Sequence, residues 1–240
     1  MGLFDKKYCD VCEEKIGLLG NRKLNDGNLC KTCAAKLSPW FSDRRGSSVE
    51  DIKDQLAYRE ANKGRVAAFN PTKTLGGNMK IYFDEDKRQW LASRTTNWRG
   101  ANPDVMDFSQ ATGCTLDIDE NKRELMRKDA EGKEVRFTPP RYEYSYDFNM
   151  TIHVNTPYFS EIRFQINDDE INQRGGMAYR EAQAKADEIR STLTQMREAE
   201  REAVVAASIP KSSMKCPYCG AVVVPDANGK CEFCGSVIGV

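Results

Sequence analysis

Residues 142–154 read Tyr142-Glu143-Tyr144-Ser145-Tyr146-Asp147-Phe148-Asn149-Met150-Thr151-Ile152-His153-Val154. Every even position is aromatic or aliphatic, and every odd position is polar. A period of two sends successive side chains to opposite faces, so the segment predicts a strand with one face on a core. Its unbroken length predicts a bend around a sandwich or barrel. The same alternation runs outward from it. Met79, Ile81 and Phe83 alternate with Lys80, Tyr82 and Asp84, and Cys114, Leu116 and Ile118 alternate with Thr115, Asp117 and Asp119. Ile162, Phe164 and Ile166 resume it after Pro157. Asp84-Glu85-Asp86-Lys87, Asn121 and Gly132 read as turns between strands. Residues 65–167 therefore predict roughly seven to nine antiparallel strands.

On either side of this region the period becomes helical. Tyr179, Ala182, Ala186, Ile189, Leu193 and Met196 recur in steps of three and four, a heptad seam on a helix from about 177 to 206. At 1.5 Å per residue that helix is roughly 45 Å long, more than one small barrel needs. Two covers suit the seam: the chain's own strands, or a second copy in a homodimer through the 179–204 helix. Before the strands, Ser47 or Ser48 can cap a helix with Glu50 or Asp51 completing a capping box, and Val49, Ile52 and Leu56 give it one apolar face. The chain thus divides into a head at 1–45, a connector helix at 46–64, an antiparallel domain with its long helix at 65–207, a linker at 208–214 and a tail module at 215–240. The fold class is α+β and multidomain.

Eight of the nine cysteines fall into four C-x-x-C pairs. Cys9 and Cys12 are followed seventeen residues later by Cys30 and Cys33, and Cys216 and Cys219 eleven residues later by Cys231 and Cys234. Two cysteines three apart bend round one ion on a tight knuckle, and the spacer returns to supply the other pair. Four thiolates make a closed shell with no position for water or substrate, which defines structural zinc, one ion at each site. Iron in a rubredoxin-like site is the other metal reading, and redox C-x-x-C chemistry lacks its βαβ context. The tail pairs each run into glycine, as in a zinc ribbon. Cys33 runs into Ala34-Ala35-Lys36-Leu37, so the head ligands sit on the first turn of a helix in a treble-clef manner. A tail module of this size lacks a sufficient apolar core and needs the metal to fold.

Lys plus Arg number 36 and Asp plus Glu 36. Each zinc with four thiolates adds about −2, so the metal-loaded chain carries about −4. The head has Lys6, Lys7, Lys15, Arg22, Lys23, Lys31, Lys36, Arg44 and Arg45 against six acids, about +1 once its cluster is counted. Neither module has the basic stripe of a nucleic-acid binder. The start, Met1 to Lys7, lacks the apolar run of a signal peptide, and Lys6 stands where a myristoylation motif needs Ser or Thr. Paired cysteines without a leader predict a cytoplasmic location. His153, the lone histidine, falls on the polar face of its strand and reads as solvated or hydrogen-bonded. Cys114 reads as core, Asp117, Asp119 and Glu120 as the charged end of a hairpin, and Gly76-Gly77-Asn78 as a turn. No residue is singled out as catalytic.

Cys9-x-x-Cys12, Lys15-Ile-Gly-Leu-Leu-Gly-Asn-Arg-Lys-Leu and Asp26-Gly-Asn-Leu-Cys30-x-x-Cys33 resemble the N-terminal zinc domain of a bacterial family of unknown function. Asp107-Phe-Ser-Gln and Tyr146-Asp-Phe-Asn-Met-Thr-Ile-His-Val-Asn are similar to the middle region of proteins with that architecture, which often end in a ribbon. The resemblance implies zinc at the head cysteines and a bacterial cytoplasmic origin, with no agreed activity. Strands followed by a closing helix also resemble the pleckstrin-homology superfold, by element order alone. The expected function is a non-enzymatic adaptor whose zinc head, PH-like domain and ribbon engage a protein partner. Lipid binding through the PH-like domain ranks second, and nucleic-acid binding through the zinc modules third.

Overall fold

The computed structural model describes residues 6–208, 213–225 and 229–238. Residues 1–5, 209–212, 226–228 and 239–240, which include most of the expected linker and part of the tail module, lie outside the described residues. The chain forms two compact units, one ending at Arg197 and the other beginning at Glu198.

The first unit opens with two short hairpins, β1 (Lys7–Tyr8) with β2 (Lys15–Ile16) and β3 (Arg22–Lys23) with β4 (Asn28–Leu29), followed by α1 (Lys31–Ala34). Helix α2 (Val49–Ala68) begins at Ser48, whose hydroxyl accepts from the Asp51 amide while Asp51 accepts from the Ser48 amide. Two further contacts tie its start to the head: the Val49 amide donates to Asp26 Oδ1 at 2.8 Å, and the Asn25 amide to the Ser47 carbonyl at 2.9 Å. Ile52 is fully buried among Leu24, Leu29 and the head cysteines, with Val49 and Leu56 packed beside it.

Helix α2 runs beyond the expected connector, and part of its polar surface is buried. Gln55, Arg59 and Asn62 are buried. Arg59 Nη1 donates to Asp104 Oδ1 at 2.9 Å and Arg59 Nε to the Lys36 carbonyl at 3.2 Å, while Ser38 Oγ donates to Asp104 Oδ2 at 2.7 Å. Asn62 donates to the Pro103 carbonyl at 2.7 Å and accepts from the Val105 amide at 3.0 Å. These bonds let Arg59 and Asn62 leave water, because a buried polar group is tolerated when its partners are made, whereas the buried Gln55 amide has no hydrogen-bond partner among the described residues. They join the head, the helix and the 102–105 loop into one structure.

Strands β5 (Lys73–Gly76), β6 (Lys80–Asp84), β7 (Gln89–Ser93) and, after α3 (Trp98–Ala101), β8 (Met106–Asp107) form a four-stranded antiparallel sheet in chain order. Tyr82 and Asp84 were expected on a solvated face, yet both are buried. The end of α2 and helix α3 cover that face with Val66, Phe69 and Trp98, and Asp84 accepts from the amides of Asn70 at 2.8 Å and Lys87 at 3.0 Å. A sheet covered on both sides loses its alternation.

Strand β9 (Ala111–Glu124) leads through the small hairpin β10 (Met126–Lys128) and β11 (Glu134–Arg136) to β12 (Tyr142–Val154), then β13 (Glu161–Gln165). They form a three-stranded sheet of order β13-β12-β9. Two expectations are corrected here. Asn121 lies inside β9 opposite Ser145, not at a turn, and Asp117 and Asp119 lie mid-strand opposite Asn149 and Asp147, not at a hairpin end. Strand β12 does not bend round a closed barrel either. Both sheets are open, and they meet over one shared core of Ile81, Phe83 and Trp90 from one and Phe148, Met150 and Ile152 from the other.

Helix α4 (Met177–Ser208) lies on this core. Ala182, Ala186, Ile189 and Leu193 are buried in it, and Tyr179 and Met196 pack at its margin. Ile189 and Leu193 each contribute about 1.5–3 kcal/mol by leaving water. Of the two covers that suit the seam, the chain's own strands take Ala182, Ala186, Ile189 and Leu193 within the first unit. In the second unit β14 (Met214–Lys215) pairs with β15 (Val222–Val223) around a small cluster of Cys216, Val223 and Cys231.

Candidate metal centres

The first cluster is assembled by the two head hairpins. Cys9 closes β1, and the turn to β2 folds back with the Glu13 amide donating to the Cys9 carbonyl at 2.8 Å and the Cys9 amide to the Glu14 carbonyl at 2.9 Å. Glu13 takes φ +60 to allow it. Cys30 follows β4 and caps α1, its Sγ accepting from the Cys33 amide at 3.3 Å, which brings Cys33 inward on the first turn. The Cys30 amide donates to Cys9 Sγ at 3.3 Å. The second cluster repeats the knuckle twice. The Gly220 amide donates to the Cys216 carbonyl at 2.9 Å and the Gly235 amide to the Cys231 carbonyl at 2.8 Å. Both glycines sit at positive φ, +74 and +71, where a side chain would be strained.

In each group the four Sγ atoms lie within 4.8 Å of one another. Cys12 to Cys30, Cys216 to Cys234 and Cys219 to Cys231 are each 3.7 Å apart. A tetrahedron with metal–sulfur bonds of about 2.3 Å has edges of about 3.8 Å, so the donor set fits one four-coordinate ion. A disulfide needs about 2.05 Å, and every cysteine here is free. Cys9, Cys30 and Cys33 are buried, while Cys12 reaches the surface beside a cleft lined by Val11, Lys36, Leu56 and Lys63.

The thiols do not ionise alike. Burial opposes ionisation of Cys9, but the amides of Cys12, Cys30 and Val11 outweigh it and bring its thiol down to about 7. Ser236, through hydroxyl and amide, brings Cys234 down to about 6. Burial and then the thiols of Cys12 and Cys30 push Cys33 well up. Cys219 accepts from the Ala221 amide, yet burial and the thiols of Cys216, Cys231 and Cys234 raise it to about 12. Four crowded sulfurs share their negative charge poorly, and a divalent cation at the centre is what allows all four to be thiolates. With every corner taken by protein, such an ion holds the chain together and leaves no open position.

The remaining sequence candidates do not join these clusters. His153 lies opposite Gly113 with Nδ1 3.7 Å from Glu161 Oε1 and Nε2 3.5 Å from Thr115 Oγ1. Cys114 packs against the main core, and burial pushes its thiol up to about 11. Gly76 to Asn78 form the β5–β6 turn, with the Asn78 amide on the Asp168 carboxylate. Trp40 reaches the core between the sheets, and Phe41 stays with the head. The sequence reading missed Leu18 and Leu19. They stand in the turn between β2 and β3, 93% and 86% exposed, with the turn closed by the Gly20 amide on the Gly17 carbonyl at 2.9 Å. The signal was available: two adjacent leucines between Gly17 and Gly20.

These features define a mixed α/β protein with a four-cysteine cluster near each end and a long helix before the second. Comparison with protein families matches residues 7–55 to a domain described as Domain of unknown function (DUF4428). The match takes in the whole first cluster and the start of α2. No curated protein matches the chain, and no solved structure does. No helix among the described residues is long and apolar enough to cross a membrane.

Proposed function

We propose that this chain is a non-enzymatic, zinc-stabilised adaptor that binds a protein partner in the bacterial cytoplasm. The observation that carries it is the pair Leu18 and Leu19, exposed side by side on the turn between β2 and β3, which the Gly20 amide closes on the Gly17 carbonyl. Scattered exposed leucines are ordinary, but two adjacent ones at the tip of a turn present a contiguous apolar contact area. Zinc in both clusters fits this reading, since closed shells serve shape rather than reaction. The head takes a treble-clef role and the tail a ribbon role. The order of four strands, three strands and a covering helix supports a PH-like core.

Leu18→Ser with Leu19→Ser tests it. The double variant should keep its two metal ions and its melting temperature, because exposed positions shift stability by no more than about 0.5 kcal/mol. In a pull-down from native extract it should lose the protein that the wild type recovers. An unchanged set of recovered proteins would refute the reading. A lipid surface is the second reading, favoured by Lys15, Arg22 and Lys23 flanking the leucines. Each basic residue near an anionic membrane contributes about 1 kcal/mol, against the overall negative charge. Strong flotation with phosphatidylserine vesicles, fading with salt, would put this reading first.

A further inference from the structure

Strand β9 is fourteen residues long and lies at the edge of its sheet. Its backbone orientation follows from its neighbour. The Tyr146 amide donates to the Ile171 carbonyl at 2.9 Å, and the Phe148 carbonyl accepts from the Ile166 amide at 2.8 Å, both on the side of β12 away from β9. By the period of two, Asp147, Asn149 and Thr151 turn their main chain toward β9 and meet Asp119, Asp117 and Thr115. The N–H and C=O groups of Cys114, Leu116, Ile118 and Glu120 therefore point outward. Arg197 of α4 donates to the Thr112 carbonyl and closes the edge there. Beyond that point, among the described residues, nothing pairs with these outward groups.

Natural sheets blunt such an edge with a short strand, a proline, a bulge or charged side chains, and the charges of β9 from Cys114 to Glu120 are all acidic, which repel an acidic segment but not a basic one. Strand β9 has no proline, and its register shift is confined to the Ala111 end. Its two faces differ in character. On one, Cys114 and Leu116 pack at the core margin, and Ile118 is 37% exposed. On the other, Asp119 stands directly opposite Asp147, with Asp117 one step along. Like charges facing across strands are unfavourable. Amides from Asn149, Asn121 and Gln165 hydrogen-bond Asp119 and Asp147 at 2.8 Å, but among the described residues none of the three carboxylates has an ion pair. A residue on a strand added to β9 would lie within about 5.5 Å of Asp117 or Asp119, where a cation relieves the repulsion.

We propose that β9, from Cys114 to Glu120, receives an extended segment of the partner protein as a fourth strand, and that this segment alternates basic and apolar residues. Main-chain bonds to Cys114, Leu116, Ile118 and Glu120 supply affinity. Basic side chains beside Asp117 and Asp119, with apolar ones beside Leu116 and Ile118, supply selection. This deepens the protein-binding reading and rests on it, using a surface separate from the leucine turn.

The probe is the labelled peptide Lys-Val-Lys-Val-Lys-Val-Lys-Val with the full-length, zinc-loaded chain, against its Glu-Val counterpart. Fluorescence polarisation should show binding of the lysine peptide only. Hydrogen exchange should show the Cys114, Leu116, Ile118 and Glu120 amides fast in the free protein and slowed at least about tenfold by peptide. Ile118→Pro removes one outward donor at a position where an edge strand tolerates proline. Asp117→Lys with Asp119→Lys reverses the charge and leaves the main chain intact. Both variants should lose the lysine peptide by about tenfold or more, and the second should gain the glutamate peptide. Equal binding by wild type and both variants overturns the proposal. So does protection of the four amides before peptide is added, whether from another part of the chain or from a second copy. If a pull-down recovers the same protein with wild type and Ile118→Pro but not with the leucine variant, the edge proposal fails while the adaptor reading stands.

Discussion

Removing Asp104 should cost this protein more than any surface charge does. The carboxylate is fully buried, Arg59 beside it is 7% exposed, and the two are 2.9 Å apart. Asp104→Ala would leave Arg59 with only the Lys36 carbonyl at 3.2 Å and would strip Ser38 of its acceptor. Breaking a buried pair by removing one partner costs about 3–5 kcal/mol, because the charge left behind is desolvated and unmatched. In a unit of this size each kcal/mol moves the melting temperature roughly 2–4 °C, so the fall should be about 6–20 °C. Glu60 and Lys63 serve as the control. Their side chains are 72% and 61% exposed, and Glu60→Ala should cost about 1 kcal/mol or less. All three tryptophans, Trp40, Trp90 and Trp98, lie in the first unit, so urea unfolding followed by tryptophan fluorescence reports that unit alone. Arg59→Met with Asp104→Leu should recover most of the loss, since apolar replacement of both partners removes the stranded charge. A cost for Asp104→Ala below about 1 kcal/mol would refute the reasoning and show that head, helix and loop are not coupled through this network.

Elemental analysis of the purified chain should find two zinc ions; fewer than two metals, or iron, would exclude the zinc assignment. Cys219→Ser should remove one ion and leave tryptophan unfolding unchanged, whereas Cys12→Ser should remove the other and lower the midpoint, because the first cluster shares a core with Ile52. Leu193→Ala should cost about 2–5 kcal/mol with no change in mass by light scattering; loss of a dimer without loss of stability would restore the self-pairing idea. Burial raises the Cys114 thiol from 9.0 to about 11, so the folded state retains a proton that the unfolded chain has released. Stability from this group is complete below pH 9.0 and is lost as pH rises toward about 11, and Cys114→Ala should flatten that slope in urea titrations.

The parts legible in the sequence are those whose partners lie nearby along the chain. The cysteine pairs declare themselves by spacing, the Ser48–Asp51 box by its step of three, and β12 by its alternation. What stayed hidden depends on distant partners. Arg59 and Asn62 look solvated until Asp104 and Pro103 arrive from forty residues away. Tyr82 looks exposed until Trp98 of α3 covers it, and Asp84 until the chain after α2 brings the Asn70 amide to it. The outer half of β9 carries Asp119, Glu120, Asn121, Lys122 and Arg123, a run that looks like a loop. It remains a strand because β12 pairs with it along its whole length. The length of β12 suits a sandwich and a barrel alike, because length says nothing about whether edges meet.

The Asp26 bond to the Val49 amide, with Ile52 seated among the head leucines, bears on how this head could travel between proteins. A piece cut after the last cysteine would carry its metal but leave the Ile52 socket empty and Asp26 without its donor. The transplantable unit is therefore the cluster plus the opening turns of α2, and the domain match ending at residue 55 includes them. An engineer moving the head to a new host should graft those turns with it and let the host helix continue from there, so that the foreign segment arrives with its own splint.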